Sequence, residues 1–387
     1  MEAIWAGDSP LLPMTRRRDG YDVLFAPMEV VGCVVCGHVF NHGFVPSTTD
    51  SMYGDVALTN IPADPSMHQR LTSLFEWLPQ AAVQGHHVLE IGAGGGHLAR
   101  LLARAARQVT VIEPCLGLTR DLVPEANIHL IHDLFPSSAE IPPAGLCLAR
   151  QVLEHTSDPR AFFRALVATM TPDGYAYVEI PNAEYIRNHG AILDIHVQHI
   201  QYFTPQGLVQ LAGNAGLVAE RMIHIKDGHD IGILFRKGTV PAQPLHSGGE
   251  YDFQEWRRAL QCRIDDLAAV DFVALGRIAL YGVTMHGQVL LNLPGFDAST
   301  VVAAFDDNHA NLDYGLYTPT GFIPAQAPTA LTLAEIDTVI ITAYLHDQVM
   351  EQKLRTLGFS GTVLTAGTAG HPRMMGRLFS VIGERAC

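Results

Sequence analysis

The chain has 387 residues, of which 48% are apolar and 17% charged, a balance typical of a folded globular protein with two or three domains. This composition argues against a disordered or fibrous chain. The formal charge of -14, with a single basic run at residues 16–18, argues against nonspecific nucleic-acid binding and favours a small-molecule partner.

Neither a membrane span nor an export signal is visible in the sequence. No segment reaches the roughly 20 uninterrupted apolar residues of a membrane helix, and the first residues lack a basic region followed by an apolar core. The six cysteines are scattered, with only Cys33 and Cys36 close together, which suits a reducing compartment. We therefore expect a cytoplasmic protein without membrane contact, whose oligomeric state the sequence does not predict.

Three regions follow one another along the chain. Residues 1–70 mix short apolar runs with polar loops and predict a small N-terminal lobe. Residues 71–240 alternate β-rich and helical runs, which predicts an α/β fold with a doubly wound parallel sheet. Residues 241–387 lie beyond a Gly-, Pro- and Ser-rich linker at 238–250 and predict a second, Rossmann-like αβ domain on the substrate side.

The predicted core sheet ends in an antiparallel hairpin, because two apolar runs flank a short polar turn at 226–229. The predicted core strands are 87–92, 108–114, 127–133, 145–151, 174–181, 216–225 and 230–237. The predicted C-terminal strands are 277–282, 299–307, 337–344 and 361–367.

A glycine-rich turn at 92–96 joins an apolar strand to a helical pattern. In such a unit the glycines let backbone amides approach a ligand, and the helix N-terminus favours negative charge. Glu113 ends the next predicted strand, where a carboxylate can accept hydrogen bonds from two ribose hydroxyls. Together they predict an adenosine-type cofactor, either a nicotinamide dinucleotide or S-adenosylmethionine.

The spacing of the glycines distinguishes these two cofactors. It departs from G-x-G-x-x-G, which seats a pyrophosphate, and E-I-G-A-G-G-G (90–96) resembles the E/D-x-G-x-G-x-G motif of class I S-adenosylmethionine-dependent methyltransferases. The resemblance implies that Glu90 lies near the ammonium group of S-adenosylmethionine. Cofactor contacts are expected at Glu90, Gly92, Gly94, Gly96, Glu113, Pro114, Asp133 and Gln151.

Residues 149–166 resemble the V-L-E-H-x-x-D-P segment that borders the transferable methyl group in many of these enzymes. The resemblance makes Gln151, Glu154 and His155 candidate site residues. In the alternative interpretation, Glu154 and Asp158 cap and charge the following helix. We expect Asp158 to be structural, whereas both interpretations stay open for His155.

The whole chain resembles the three-domain sugar C-methyltransferases, which act on deoxysugars carried by nucleotides. Residues 277–292 are similar to that family's Y-G-A-x-x-K-G-x-x-L-L-N, and residues 305–328 to its D-x-x-P-x-K-x-G-x-x-x-P-G-x-x-I-P. The resemblance implies a zinc-bearing N-terminal lobe, a methyltransferase core and a C-terminal Rossmann-like domain. It does not identify the substrate.

Departures from that family fall at its chemistry. Its Y-H-E-H-x-x-Y-F reads H-V-Q-H-I-Q-Y-F at 196–203, so Gln198 replaces the glutamate and His196 the leading tyrosine. The H-G-G-S-x-R stretch reads D-G-H-D at 227–230, and the K-G of the C-terminal motif reads H-G at 286–287. Gln198 carries no charge to raise the basicity of a neighbouring histidine, which argues against ordinary deoxysugar C-methylation.

Histidines are concentrated at the predicted strand ends and beside them: His155, His196, His199, His224 and His229. Histidine suits proton transfer near neutral pH, and methyl transfer needs a base only when the acceptor is protonated. His199 is the first candidate for that base, and a satisfied interior histidine is the alternative. The predicted catalytic residues are His199, His155, Tyr202 and His196.

The sequence C-V-V-C-G-H at 33–38 resembles a zinc knuckle. A structural zinc site needs four ligands, and no cysteine precedes Cys33, so His38 and His42 are the candidates to join Cys33 and Cys36. The alternative is that the turn has been kept without the metal.

The sequence thus predicts an S-adenosylmethionine-dependent methyltransferase that acts on a small polar metabolite, a natural-product intermediate held between the core and the C-terminal domain. Three alternatives remain: a nucleotide-deoxysugar C-methyltransferase, an N- or O-methyltransferase, and a noncatalytic cofactor-fold partner of a biosynthetic enzyme. An NAD-dependent oxidoreductase is disfavoured because the turn after residue 281 lacks the glycine spacing.

Overall fold

The computed structural model describes residues 1–10, 15–16, 25–45, 65–115, 126–238, 251–308, 312, 314–318, 321–367 and 379–381. Nearly all of the predicted linker at 238–250 lies outside the described residues. Within the described ranges the strands form three sheets of four, seven and eight strands. No helix in this part of the chain has the length and apolar character needed to cross a membrane.

The N-terminal sheet is antiparallel. The first strands are β1 (Glu2–Pro10), β2 (Thr15–Arg16), β3 (Phe25–Gly32) and β4 (Val39–Asn41). β1 pairs with β3 and β3 with β4, whereas β2 joins the C-terminal sheet. Between β3 and β4 the chain makes a tight turn, in which Gly37 donates its N–H to the carbonyl of Cys33 at 2.8 Å.

The seven-stranded sheet forms the middle of the chain. Its elements are α1 (Pro65–Trp77), α2 (Gln80–Val83), β5 (His87–Ile91), α3 (His97–Ala103), β6 (Gln108–Ile112), β7 (Ile128–Ile131), β8 (Ala144–Arg150), α4 (Pro159–Thr169), β9 (Met170–Pro181), α5 (Ala183–His189), β10 (Gln201–Tyr202), α6 (Pro205–Asn214), β11 (Leu217–Ile225) and β12 (Asp230–Lys237). Short 3-10 turns lie at Leu153–His155 and Ile192–Asp194. The strand order is β11-β12-β9-β8-β5-β6-β7, with β12 antiparallel to both neighbours.

This sheet confirms the predicted doubly wound fold with its terminal hairpin. All seven predicted strands are present, although β9 begins at Met170 rather than at residue 174. Apolar clusters cover both faces: Leu89 and Phe162 lie in one, Val88 and Leu98 in the other. Burial on both faces explains why the strands read as continuous apolar runs.

The C-terminal sheet has a Rossmann-type centre. Its elements are α7 (Gln254–Ala268), β13 (Ile278–Tyr281), α8 (Met285–Leu290), β14 (Val301–Phe305), β15 (Tyr314–Thr318), β16 (Gly321–Gln326), α9 (Ala330–Leu333), β17 (Thr338–Ile341), α10 (Asp347–Thr356), β18 (Thr362–Ala366) and β19 (Phe379–Val381). The parallel strands follow the order β18-β17-β13-β14-β16, which is the Rossmann order. All four predicted strands are present, and the β15–β16 hairpin was not predicted.

Strand pairing and a shared apolar cluster connect the three sheets. β10 pairs with β4 of the N-terminal sheet, and β2 pairs with β15 of the C-terminal sheet. A single apolar cluster includes Val30 of β3, Ile195 of the connecting segment and Leu280 of β13. Residues 183–202 are therefore packed between the N-terminal lobe and the C-terminal domain. The expected boundary between residues 70 and 71 lies inside α1.

Candidate functional site

The glycines of the loop after β5 are needed for two different reasons, close packing and open space for a ligand. Gly92, Gly94 and Gly96 all adopt positive φ, at 67°, 55° and 68°. A Cβ on Gly92 would lie 2.3 Å from Cγ2 of Val152, whereas a Cβ on Gly94 would meet no atom within 4 Å. The first glycine is required by packing, and the second exposes backbone to open space where a ligand can approach.

Glu113 fixes this loop to the end of β6. Its Oε2 accepts a hydrogen bond from the N–H of Gly94 at 2.8 Å, and its Oε1 accepts one from the N–H of Cys115 at 3.0 Å. Burial raises the pKa of Glu113, although the two hydrogen bonds oppose the shift. Each carboxylate oxygen has further acceptor capacity, so Glu113 can also accept hydrogen bonds from two ligand hydroxyls.

Glu90 is a buried carboxyl group beside the same loop. It is 3% exposed, and its Oε2 has no hydrogen-bond partner among the residues that the structure describes. Burial raises its pKa to about 7, the Arg150 guanidinium opposes this shift, and Glu113 adds to it. A buried carboxylate without a partner is costly, so a cationic ligand group at this position would stabilise it.

The other predicted cofactor residues are Pro114, Asp133 and Gln151. The last two differ in whether their polar atoms are already used in hydrogen bonds. Pro114 directly follows Glu113 and is half-buried. The carboxylate of Asp133 accepts hydrogen bonds from Leu134 N–H and, at 2.7 Å, from Ser137 Oγ, and these bonds lower its pKa. Gln151 adopts a φ of 54°, and its Nε2 is buried without a partner. Asp133 therefore organises its own loop, whereas Gln151 has an unused donor.

His155 and His199 lie beyond the carboxyl end of β8, and the Nδ1 atom of each faces a backbone carbonyl. His155 Nδ1 is 2.7 Å from the carbonyl of Gln198, and His199 Nδ1 is 2.8 Å from the carbonyl of Asp194. Because a carbonyl only accepts, each Nδ1 carries the hydrogen and each Nε2 keeps its lone pair. The two ring centroids are 5.3 Å apart.

The pKa values of these histidines bear on the predicted base. Burial lowers the pKa of His155 to about 4. Burial, with His155 as a second cause, lowers the pKa of His199 to about 3. A histidine with so low a pKa holds a transferred proton poorly at neutral pH, which disfavours His199 as the general base.

The two other predicted catalytic residues contact His199. The ring of His196 lies against that of His199 at a tilt of 38° with centroids 3.8 Å apart, and its Nδ1 has no partner among the described residues. Tyr202 is buried with its ring centroid 6.4 Å from that of His199, and burial together with Asp194 raises its pKa. The structure therefore brings all four predicted catalytic residues together in one cluster.

A group of charged side chains that the sequence did not predict lies beside this cluster. Its members are Asp194, Lys226, His229, Asp230 and His286. His229 Nδ1 is 2.6 Å from Asp230 Oδ1, and its Nε2 is 3.1 Å from Asp194 Oδ2. Lys226 Nζ lies 2.7 Å from Asp230 Oδ2, and His286 Nε2 reaches Asp194 Oδ1 at 3.4 Å. Of the residues in this group, His286 comes from the C-terminal domain.

Only some members of this charged group stand out in the sequence. The D-G-H-D segment and the H-G pair at 286–287 depart from the motifs of the similar family, but nothing in the spacing indicates that Asp194 joins them. His224, expected among the clustered histidines, instead lies exposed on β11. Asp158 is structural, as expected: it caps α4, and its Oδ1 accepts the N–H of Ala161 at 2.8 Å.

Buried polar atoms without a hydrogen-bond partner are concentrated between the glycine loop and the histidine cluster. Of the twelve such atoms among the described residues, seven belong to this region: Glu90 Oε2, Gln151 Nε2, both carboxyl oxygens of Glu154, His196 Nδ1, Gln198 Nε2 and the Tyr202 hydroxyl. Such atoms are rare in folded proteins because each one costs desolvation energy. Their concentration indicates a ligand site.

The predicted zinc ligands do not fit a zinc site. Within the described residues, the atoms of Cys33, Cys36, His38 and His42 do not form a group of three at ligand spacing. His38 Nε2 lies 2.7 Å from Gln201 Oε1, and His42 is exposed. The turn is held instead by backbone hydrogen bonds between Cys33 and residues 37 and 38.

Comparison with known families agrees with this topology. Residues 66–221 match a family model described as methyltransferase domain, and residues 253–366 match one described as C-methyltransferase C-terminal domain. Residues 66–221 are thus similar to methyltransferase domains, and residues 253–366 are similar to the C-terminal domain of C-methyltransferases. Both similarities agree with the predicted enzyme class.

Individual relatives of the methyltransferase domain cover less of the chain. The ubiquinone biosynthesis O-methyltransferase of Xanthomonas axonopodis pv. citri (strain 306) is 30% identical over 162 residues, which are 35% of this chain and 64% of that protein. The protein of the same name from Aeromonas salmonicida (strain A449) is 26% identical over 180 residues, which are 40% of this chain and 74% of that protein. The chain thus spans somewhat less than two thirds of the first relative.

One solved structure that resembles the methyltransferase domain is the N-methyltransferase NodS from Bradyrhizobium japonicum WM9 in complex with S-adenosyl-L-homocysteine. It is 15% identical, with a TM-score of 0.38, and the match covers 48% of this chain and 93% of NodS.

Proposed function

We propose that the protein transfers the methyl group of S-adenosylmethionine to a small polar metabolite, a natural-product intermediate bound between the methyltransferase core and the C-terminal domain. The observation that carries this proposal is the series of unpartnered buried polar atoms from Glu90 through Gln151 to Gln198. The series begins on the strand before the glycine loop and ends in the histidine cluster, beside which His286 of the C-terminal domain contacts Asp194 at 3.4 Å.

The residues around the glycine loop fit S-adenosylmethionine. Glu113 would accept hydrogen bonds from the ribose hydroxyls, and Glu90 would lie near the ammonium group. The open space at Gly94 would admit the cofactor, with Gly92 and Gly96 shaping the loop around it. When bound, S-adenosylmethionine supplies an electrophilic methyl group on a sulfonium sulfur. Contacts from Pro114, Asp133 and Gln151 stay predictions.

The histidine cluster would hold the acceptor. Neutral His155 and His199 present Nε2 lone pairs, which accept hydrogen bonds from hydroxyl groups. Buried donors and acceptors at fixed positions orient an acceptor for in-line attack, and orientation is the main requirement of methyl transfer. We therefore assign His155, His196, His199 and Tyr202 to positioning the acceptor.

Methylation at carbon of a nucleotide-linked deoxysugar is the second candidate function. It is favoured by the match of residues 253–366 to the C-methyltransferase C-terminal domain. The amide of Gln198 at the position of the family's glutamate opposes it, because an uncharged amide cannot raise the basicity of a histidine. The ubiquinone biosynthesis relatives are named O-methyltransferases, and their matches cover at most 40% of this chain.

Calorimetric titration of S-adenosylmethionine and S-adenosylhomocysteine tests the cofactor site. The matched pair is Glu113→Gln and Glu140→Gln, since Glu140 is an exposed glutamate outside the site. Loss of charge-assisted hydrogen bonds at Glu113 should weaken binding by roughly 10- to 150-fold, with no change for Glu140→Gln.

The same titration separates the candidate functions. Absence of binding to the unmodified protein would contradict methyl transfer and leave a noncatalytic binding protein. If binding is present, a labelled methyl donor with nucleotide-linked ketosugars and with hydroxylated small acids then distinguishes carbon from oxygen acceptors.

A further inference from the structure

Three side chains at the end of β8 come together in a way that methyl transfer does not require. The ligand atoms of Glu154, His155 and His199 all lie within 4.8 Å of one another, and among the described residues this is the one such group of histidine, cysteine and carboxylate side chains. The backbone fixes the arrangement, because Ile200 N–H donates to the carbonyl of Glu154 at 2.8 Å.

The two imidazoles are oriented as metal-binding histidines are. Each uses its Nδ1–H on a backbone carbonyl, that of Gln198 for His155 and that of Asp194 for His199. Such hydrogen bonds fix the tautomer and ring orientation of histidines that coordinate metals through Nε2. The Nε2 of His155 lies 3.7 Å from Oε1 of Glu154, too far for a hydrogen bond and close to the spacing of two ligands on one ion.

Within the described part of the chain, Glu154 has no other hydrogen-bond or ion-pair partner. It is 2% exposed, and neither carboxyl oxygen makes a hydrogen bond to a described residue. The neighbouring buried carboxylates differ in this respect, because Asp230 is paired with Lys226 and His229, and Glu179 with Arg150 and Tyr177. A buried carboxylate without a partner is costly, and a bound cation supplies what is lacking.

We propose that Glu154, His155 and His199 bind a divalent first-row transition-metal ion. Two imidazole nitrogens and one carboxylate oxygen suit zinc, iron, cobalt or manganese rather than magnesium or calcium, which prefer oxygen ligands. Ligands about 2.1 Å from a common ion lie roughly 3–4 Å apart, so modest side-chain movement closes the observed spacing. The His155 side chain is 21% exposed, which gives the ion a path from solvent.

Three protein ligands leave coordination positions open. Provided that the proposed function holds, an oxygen of the methyl acceptor would occupy one of them. With the ion bound, His155 and His199 would position the acceptor through the ion instead of through direct hydrogen bonds to their Nε2 atoms. This arrangement selects acceptors with a hydroxyl or carbonyl donor next to the reacting atom. The metal site itself does not depend on that function.

Binding of Co²⁺ and Zn²⁺ to the metal-free, untagged protein tests the inference. Calorimetry should give one ion per chain, and Co²⁺ should show visible d–d bands without the near-ultraviolet charge-transfer absorption of thiolate ligands. Removal of one ligand in His155→Gln, His199→Gln or Glu154→Gln should weaken binding by more than about a hundredfold, since even outer-shell changes cost 10- to 100-fold.

Two control variants test whether the ion binds at Glu154, His155 and His199 and not elsewhere in the chain. His224→Gln removes an exposed histidine and should leave binding unchanged. Cys33→Ser with Cys36→Ser removes the only alternative cluster of soft ligands that the sequence suggested, and it should also leave binding unchanged. The circular-dichroism spectrum and the affinity for S-adenosylmethionine of each variant report whether the fold is kept.

Failure of the metal site and failure of the proposed function have different signatures. If Co²⁺ does not bind, or binds equally well to His155→Gln and Glu154→Gln, the metal inference is wrong whatever the cofactor titration shows. Since His155 is partly exposed, its variant remains informative even if Glu154→Gln does not fold.

Discussion

His229 and Asp194 form a buried ion pair that connects the last hairpin of the core to the segment before β10. The Nε2 of His229 lies 3.1 Å from Oδ2 of Asp194, and both side chains are less than 10% exposed. Asp230 holds the other ring nitrogen at 2.6 Å. Burial alone would lower the pKa of His229, but the two carboxylates outweigh it and raise the pKa to about 10. His229 is therefore an imidazolium at neutral pH.

The first prediction concerns the pH dependence of stability. The pKa of His229 is about 10 in the folded chain and 6.5 in the unfolded one, so the folded state binds more protons between these values. The stabilisation is fully present below pH 6.5 and is lost as the pH rises through 10. We expect the contribution to be on the order of 4–5 kcal/mol in urea denaturation measured across this range.

His229→Gln should flatten this pH dependence, and His224→Gln, which changes an exposed histidine, should keep it. Long-range ¹H–¹⁵N spectra at pH 8 provide a direct check, because both ring nitrogens of His229 should carry hydrogens. A neutral imidazole at that pH would contradict the assignment.

The second prediction separates helix capping from ligand binding at Asp158. Its carboxylate accepts the N–H of Ala161 at the start of α4. Asp158→Ala should cost about 1 kcal/mol of folding stability, while Asp158→Asn, which can still cap the helix, should cost less. The affinity for S-adenosylmethionine should be unchanged in both variants. A tenfold loss of affinity in Asp158→Asn would instead place this residue in the site.

Most strands of the two α/β sheets could be predicted because they are buried on two faces, whereas the edge strands β7 and β11 are largely exposed or half-buried. The sequences of the buried strands are continuous apolar runs bounded by polar turns, and the predicted ends agree with the structure within about two residues for most of them. The β15–β16 hairpin was missed although all five residues of β15 are buried. The sequence of β15, Y-G-L-Y-T, is not a continuous apolar run, and β16 is largely solvent-facing.

The cofactor loop could be predicted from local spacing, whereas the charged group could not. Gly94 and Glu113 lie on consecutive strand ends, so a short motif specifies their contact. The contacts of Asp194 with His229 and His286 span 35 and 92 residues. The first depends on how residues 183–202 pack on the core hairpin, and the second on how the C-terminal domain packs on the same residues. No local pattern encodes either arrangement.

The third prediction tests the backbone conformation of Gln151. This residue has a φ of 54°, in the left-handed region that non-glycine residues adopt at a cost of about 1 kcal/mol. Gln151→Gly should therefore raise the stability by about 1 kcal/mol. It should also weaken S-adenosylmethionine binding by several-fold, because the buried Nε2 donor is lost. Gln151→Ala keeps the backbone strain, so it should lose affinity without gaining stability.

The fourth prediction uses the contrast between two glycines in one loop. Gly92→Ala places a Cβ 2.3 Å from Cγ2 of Val152, in addition to the left-handed strain, and should cost more than about 2 kcal/mol of stability. Val152→Ala should restore part of that loss, because it removes the atom that clashes.

Gly94→Ala should reduce the affinity for S-adenosylmethionine more than it reduces the stability. Its Cβ meets no protein atom within 4 Å, so the stability should fall only by the 1–2 kcal/mol of the left-handed conformation. The same methyl group would occupy the space proposed for the cofactor, and the affinity for S-adenosylmethionine should fall more than about tenfold. Calorimetry and thermal denaturation of both variants decide the outcome. Unchanged affinity in Gly94→Ala would mean that the cofactor does not approach this loop.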